Sequence, residues 1–184
     1  MEQVDDLESA EVELRLAIRD LRKLIRDRFD ETFKLVDVAF ADYFTRFFGG
    51  GTANLTLVEP PEDDEDADPG VDITAQPPGK RIASLAVLSG GERALTSVAL
   101  LFALLSVNPA PVCVLDEVDA ALDEANVGRF ADTLRELCDR SQFIVVSHSR
   151  RTIEAADASY VISMGEDSVS RVLSMRLEDL PQAS

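Results

Sequence analysis

Apolar residues near the start of the chain recur three and four positions apart: Val4, Leu7, Leu14, Ile18, Leu21 and Ile25, with Glu11 interrupting one position. Charged residues fill the other faces, and no Pro or Gly intervenes before position 49. This spacing predicts one long helix over residues 1–48 carrying a heptad seam, which a lone helix cannot bury. The seam belongs either to a coiled-coil strand without its mate or to an amphipathic helix lying on its own domain. The first is favoured because the rest of the chain offers no second helix of that length. From Phe29 the pattern turns aromatic through Phe33, Phe40, Tyr43, Phe44, Phe47 and Phe48, which predicts that this end enters a globular core.

Beyond position 48 the period changes. "GGG" at 49–51 ends the helix. "ANLTLVE" alternates apolar and polar residues as a half-buried strand does, and "VDITAQ" reads as its return strand. Between them "PPEDDEDADPG" is an acidic, proline-bounded hairpin tip with no site assigned to it. "PPGKRIASLAVLSGGE" connects to the helix "RALTSVALLFALLSV", which is apolar around nearly its whole circumference and so belongs inside a domain. Asn108 and Pro109 stop it.

"VCVLD" is then a continuous apolar run, as expected for a strand covered on both faces in a parallel sheet. "EANVGRFADTLRELCD" is helical by period, "QFIVVSH" is a second buried strand, and "RRTIEAAD" is a short helix. "SYVISM" and "SVSRVLSMRL" flank a "GEDS" turn and predict a closing hairpin or edge strands. The alternation of strand and helix predicts an α/β layer arrangement with a right-handed crossover. The expected domains are a coil base at 1–48 and an α/β unit at 49–184.

Composition narrows the picture. With 184 residues and 46% apolar content, the chain can build a core of ordinary size. Its net charge of −17 argues against a large phosphate-binding face on this piece alone and reads most plainly as a solvated surface. Cys113 and Cys138 fall in segments that read as core strand and helix, and are expected to be reduced core thiols. No signal peptide opens the chain, and the apolar stretch at 98–107 is too short to span a bilayer, so no membrane partner is expected.

Three short stretches carry candidate chemistry. In "LSGGE", Ser89 is a good helix N-cap, Glu92 completes a capping box, and Gly90 and Gly91 leave the backbone bare at the first turn. A helix start of this kind can hold an anion on its free N–H groups. Taken alone it is also satisfied as a simple cap, although a cap has no need of two glycines, which weaken a helix by about 0.5–1 kcal/mol each. In "CVLDE", Asp116 ends a buried strand and suits a Mg²⁺ ligand, either direct or through a bound water, while Glu117, facing the opposite side, could polarise a water. Two carboxylates at an exposed strand end are the plainer alternative. In "VVSH", Ser147 and His148 end the neighbouring strand, and His148 is the only histidine. A lone histidine is more often structural than catalytic, but this one falls at the carboxyl end of a parallel strand, where α/β folds bind ligands.

The order of these three is more specific than any one of them. The set resembles the C-terminal half of an ABC-type ATPase head: signature motif "LSGGE", Walker B "VCVLDE", D-loop "AALD" and switch histidine in "VVSHS". More narrowly, "YFTRFFGGG", "AQPPGKR", "LSGGERALTSVALLFAL", "VLDEVDAALDEANVGRF" and "FIVVSHSRRTIEAAD" resemble the C-terminal head segment of the bacterial SMC (structural maintenance of chromosomes) ATPases. The resemblance covers about residues 35–180, and the preceding coil fits it; the acidic loop after Pro60 fits least.

The resemblance implies ATP and Mg²⁺ as cofactors. It implies that Asp116 helps hold Mg²⁺, that Glu117 is the base for hydrolysis, and that His148 contacts the γ-phosphate and the attacking water. Ser89, Gly90, Gly91 and Glu92 would form the signature surface for ATP held by an opposite head, and Asp123 would tie the two half-sites together. Charge-assisted hydrogen bonds to phosphate contribute on the order of 1.5–3 kcal/mol each, enough for a few per site to offset the cost of association.

No G-x-x-x-x-G-K-[ST] occurs in the chain; "PPGKR" lacks both the spacing and the hydroxyl. In SMC proteins that loop lies at the far N-terminus, so the chain is expected to be a C-terminal lobe that is incomplete without the N-terminal lobe of the same protein. The other implied partners are a second head in a homodimer, a kleisin subunit and DNA. The kleisin is expected on the closing strands at 169–177. DNA is implied by family alone, since basic residues such as Arg15, Arg19, Arg22, Lys23 and Arg26 lie along the coil. A cytoplasmic, nucleoid-associated place follows. Three alternatives stand beside this reading. A transporter nucleotide-binding subunit is disfavoured by the coil and the missing phosphate loop. A coiled-coil repair ATPase is disfavoured only by "QPPGK". A non-catalytic scaffold of the same fold is disfavoured by the "DE" pair and His148.

Overall fold

The computed structural model describes residues 2–58, 69–81, 83–164 and 169–176; the acidic loop falls outside them. Helix α1 (Glu2–Phe48) runs unbroken for 47 residues. Its seam residues Leu14, Ile18, Leu21 and Ile25 are all exposed, so the described chain leaves the seam uncovered. Toward the C-terminal end the helix enters the core. Phe40, Phe44 and Phe47 are completely buried, whereas Phe29 remains exposed. Phe47 stacks on Phe102 at 5.7 Å, and Phe102 stacks on Phe130 at 5.5 Å. Those rings belong to α1, α2 (Gly90–Val107) and α3 (Glu124–Leu137), so one aromatic column joins three helices.

Gly49, Gly50 and Gly51 all have positive φ and turn the chain out of α1. Gly51 is the position with no substitute, since a Cβ there would lie 2.3 Å from the carbonyl oxygen of Gln76. The turn delivers β1 (Thr52–Val58), which pairs antiparallel with β2 (Gly70–Gln76). The Asp37 carboxylate accepts from the Leu55 amide at 2.7 Å and ties this hairpin to α1. The stretch expected to be a plain connecting loop contains a short strand, β3 (Ala83–Ser84), paired with β2, and a 3-10 turn, Leu85–Val87.

Helix α2 is 18 residues, longer than the apolar stretch picked out by sequence, and is long and apolar enough to cross a membrane by length and composition alone. Here it is a core helix: Leu95, Val98, Ala99, Phe102 and Ala103 are buried, in one core with the aromatic end of α1. Strands β4 (Val112–Asp116) and β5 (Gln142–Val146) pair in parallel across α3. The expected burial on both faces is not met within this chain. Leu115 is buried and Cys113, Phe143 and Val145 pack on the core, but Val112, Val114, Ile144 and Val146 are exposed on the other face. Cys113 is half-buried; Cys138, expected in the core, is exposed at the C-terminal end of α3. After α4 (Arg150–Glu154), β6 (Ala158–Met164) and β7 (Ser170–Arg176) form the expected antiparallel closing hairpin.

Candidate functional site

The β4–β5 pairing sets the site. Asp116, the last residue of β4, is in register with Val146, the last residue of β5. The Glu117 amide then donates to the Val146 carbonyl at 2.9 Å, carrying the ladder one residue further. His148 lies two residues beyond β5, so the acid pair and the histidine leave the sheet at one carboxyl rim. Asp116, Glu117 and His148 are all exposed there. The φ of Glu117 is 49°, the one positive value at a non-glycine among the described residues, so the backbone turns left-handed directly after β4.

The chain next folds through hydrogen-bonded turns, with the Ala120 amide donating to Glu117 O at 3.1 Å and the Leu122 amide to Asp119 O at 3.0 Å. Asp123 caps α3: its carboxylate accepts from the Asn126 amide at 2.8 Å and from the Asn126 side chain at 3.0 Å. Cap and helix dipole both favour an acid at this position.

The N-terminus of α2 lies beside this turn. Ser89 is its N-cap, accepting from the Glu92 amide at 3.4 Å, while the Glu92 carboxylate takes the Ser89 amide at 3.0 Å and the Ser89 hydroxyl at 2.8 Å. Lys80 closes on the other Glu92 oxygen at 2.7 Å. These bonds, that from Lys80 foremost, pull the Glu92 carboxyl down to about 2. A Cβ on Gly90 would meet nothing within 4 Å, and one on Gly91 only Ala121 O at 3.8 Å. The chain's own packing therefore requires neither glycine, and Ser89, Gly90 and Gly91 present an open backbone surface.

One polar group at this rim escaped the sequence reading. Asp119 is 3% exposed and accepts from the Ser147 hydroxyl at 2.6 Å and from the Thr152 hydroxyl. The signal was faint: an acid two positions past the "DE" pair, with hydroxyls far along the chain. Lys80 was missed for the same reason, since its partner is twelve positions away and only the fold joins them. None of the rim residues lines the apolar cavity of about 190 Å³ between Ile73, Leu85, Leu100 and Leu104.

The family model described as "RecF/RecN/SMC N terminal domain" matches residues 5–171. The chain belongs to this family. It is 51% identical over 176 residues to the "Chromosome partition protein Smc" of Desulfitobacterium hafniense, covering 96% of this chain and 14% of that protein. It thus spans about one-seventh of the length of that relative. Among solved structures it is similar, at a TM-score of 0.79 and 37% identity, to the Smc head domain with an extended coiled coil from Pyrococcus furiosus, bound to the C-terminal domain of ScpA; the match covers 95% of this chain and 43% of that one. A structure concerned with ATP-driven dimerisation and DNA-stimulated activation of SMC ATPases matches at a TM-score of 0.70 and 38% identity, over 83% of this chain and 90% of that one. The α/β arrangement is therefore that of SMC heads.

Proposed function

We propose that this chain is the C-terminal lobe of an SMC-type ATPase head and supplies half of an ATP-hydrolysing site to a lobe that carries the phosphate loop. The observation that carries the reading is the shared rim. Asp116 in register with Val146, and Glu117 bonded to Val146, set the acid pair beside the segment bearing His148, while the open Ser89–Gly90–Gly91 surface borders the same turn at Ala121. The lobe assignment rests on the order of these segments and on the missing G-x-x-x-x-G-K-[ST], whereas the family description names an N-terminal domain. An SMC ATPase chain of nearly the same extent, 90% of which this protein covers, supports a stretch of this size as a unit of the fold.

In this reading Glu117 takes the proton of the attacking water, and His148 bonds the γ-phosphate and orients that water. Asp116 would hold Mg²⁺, since an exposed carboxylate at a strand end suits an ion that keeps several waters. Among the described residues no three acidic, histidine or cysteine side chains gather into a dedicated cage. Mg²⁺ bound there would neutralise phosphate charge. Ser89, Gly90 and Gly91 face ATP carried by an opposing head, Glu92 holds Ser89 in place, and Asp123 ties the two half-sites. Binding energy then favours head pairing, and hydrolysis releases it. The partners are a second head, a ScpA-like kleisin on the 169–177 segment, of which the structure describes 169–176, and DNA; the setting is the cytoplasmic nucleoid.

The test mixes this chain with a polypeptide carrying the phosphate-loop lobe and measures ATP turnover. None is expected from the chain alone and slow turnover from the pair. In Glu117→Gln turnover is lost while ATP-dependent dimerisation persists. A silent pair would remove the reading.

A further inference from the structure

The His148 imidazole has no hydrogen-bond partner among the described residues, and the ring is exposed. Its aim is therefore set by the backbone on either side. Both sides are fastened through the Ser147 hydroxyl. The Ser147 hydroxyl donates to Asp119 Oδ2 at 2.6 Å, and the Ser149 amide donates to the Ser147 oxygen at 2.9 Å. Thr152, on the helix that follows, donates to the same Oδ2 and is itself 5% exposed. Asp119 sits in the turn that begins at Glu117, whose carbonyl accepts the Ala120 amide at 3.1 Å.

We propose that Asp119 is a positioning residue for His148, its buried carboxylate locking the 147–149 segment to the turn that carries Glu117. The inference rests on the hydrolytic reading of the rim and deepens it by naming what holds the histidine and base in one frame. A buried carboxylate is costly unless it is hydrogen-bonded, and two hydroxyl donors converge on Asp119 Oδ2, one of them relaying the Ser149 amide through Ser147. The hydroxyl donors also make the lock directional, since an alanine at 147 deletes both the bond to Asp119 and the acceptor for the Ser149 amide. A displacement of about 1 Å at a reacting group lowers turnover by roughly a hundredfold.

Because His148 is the only histidine, ¹³C-histidine labelling of the full chain gives one ring signal, read alone and with the unlabelled phosphate-loop lobe. Ser147→Ala and Asp119→Asn are expected to shift and sharpen that signal toward a free ring, and Ser147→Thr, which keeps the hydroxyl, to leave it near its parent position. In the assembled head Ser147→Ala is expected to lower kcat about tenfold to a hundredfold with KM for ATP within about twofold, and Ser147→Thr to restore kcat. An unmoved ring signal in Ser147→Ala and Asp119→Asn overturns the proposal. So does unchanged kcat in Ser147→Ala when His148→Ala is impaired. Unchanged kcat in both variants overturns the hydrolytic reading beneath it.

Discussion

The amide of Glu117 donates to the carbonyl of Val146 at 2.9 Å while the Glu117 backbone itself turns left-handed at φ 49°. One residue thus continues the parallel ladder and breaks the pleat at once. A non-glycine residue in this region carries a cost of about 1–2 kcal/mol. That cost persists where the surroundings hold the residue in place and where its side chain has a use.

Replacing Glu117 separates strain from chemistry. Glu117→Gly is expected to unfold at the same temperature as the parent or slightly above, since relief of the left-handed strain offsets the greater freedom of glycine in the unfolded chain. Glu117→Ala keeps the strain and gains nothing. Both lose turnover in the assembled head. Calorimetry of the variants beside the ATPase assay checks this. A large drop in the melting temperature of Glu117→Gly would show that the side chain is structural.

Ser89 has two roles that two substitutions can split. Alanine removes the cap on α2, at a cost of about 1 kcal/mol. Aspartate can also cap, but it loses the bond to Glu92 Oε2, sets a second carboxylate against it, and brings a negative charge to a surface proposed to face phosphate. Ser89→Asp and Ser89→Ala are therefore both expected to melt below the parent, but only Ser89→Asp is expected to abolish ATP-dependent head pairing, which Ser89→Ala weakens. Sedimentation with and without ATP distinguishes them. Pairing retained by Ser89→Asp would remove the anion-facing role.

Glu92 gives the cap a pH dependence with a definite sign. Lys80, then the Ser89 hydroxyl and amide, hold its carboxyl at about 2 against the usual 4.5. A lowered carboxyl stabilises the folded state above the unfolded value, so its contribution is full above about 4.5 and is lost as pH falls toward 2. Lys80 is 58% exposed, so the ion pair itself contributes at most about 1 kcal/mol. Lys80→Met is expected to raise the Glu92 carboxyl toward its ordinary value, to cost up to about 1 kcal/mol at pH 7, and to cost less as pH falls toward 2. Carboxyl NMR and circular dichroism across that window check it. An unmoved Glu92 titration would show that the pair does not persist in solution.

What sequence reading reached and what it missed follow range in the chain. The Ser89–Glu92 box was legible because it closes within a single helical turn, whereas the equally local Asp123 cap was not read as one. The helix of α1 and the burial of Phe40, Phe44 and Phe47 were legible from period, while the seam stays uncovered among the described residues. The Asp119–Ser147–Thr152 cluster was not, since its members are 28 and 33 positions apart and only the β4–β5 crossover brings them together. Two expectations failed for a physical reason. Val114 and Ile144 looked like residues of a sheet covered on both sides, and an apolar strand records burial in the finished assembly, whichever chain supplies the cover. Cys138 looked buried by helical period, but it caps the end of α3, where the periodic face has already run out.

The uncovered face of β4–β5 makes the last prediction. Val112, Val114, Ile144 and Val146 remain 50%, 63%, 49% and 52% exposed, side by side on one face of two paired strands, while Leu115 on the opposite face is 4% exposed. Covering the remaining surface of such side chains contributes on the order of 1 kcal/mol each. Scattered exposed valines need no explanation, but a contiguous apolar face on a sheet does. Val114→Lys is expected to reduce self-association of the chain at high concentration, because it puts a charge at the centre of the patch. The same change is expected to weaken pairing with the phosphate-loop lobe by at least about tenfold, with the melting temperature of the chain alone nearly unchanged, since Val114 touches little of its own core. Light scattering and titration calorimetry measure the two effects. Tighter or unchanged pairing in Val114→Lys would show that the second lobe does not sit on this face.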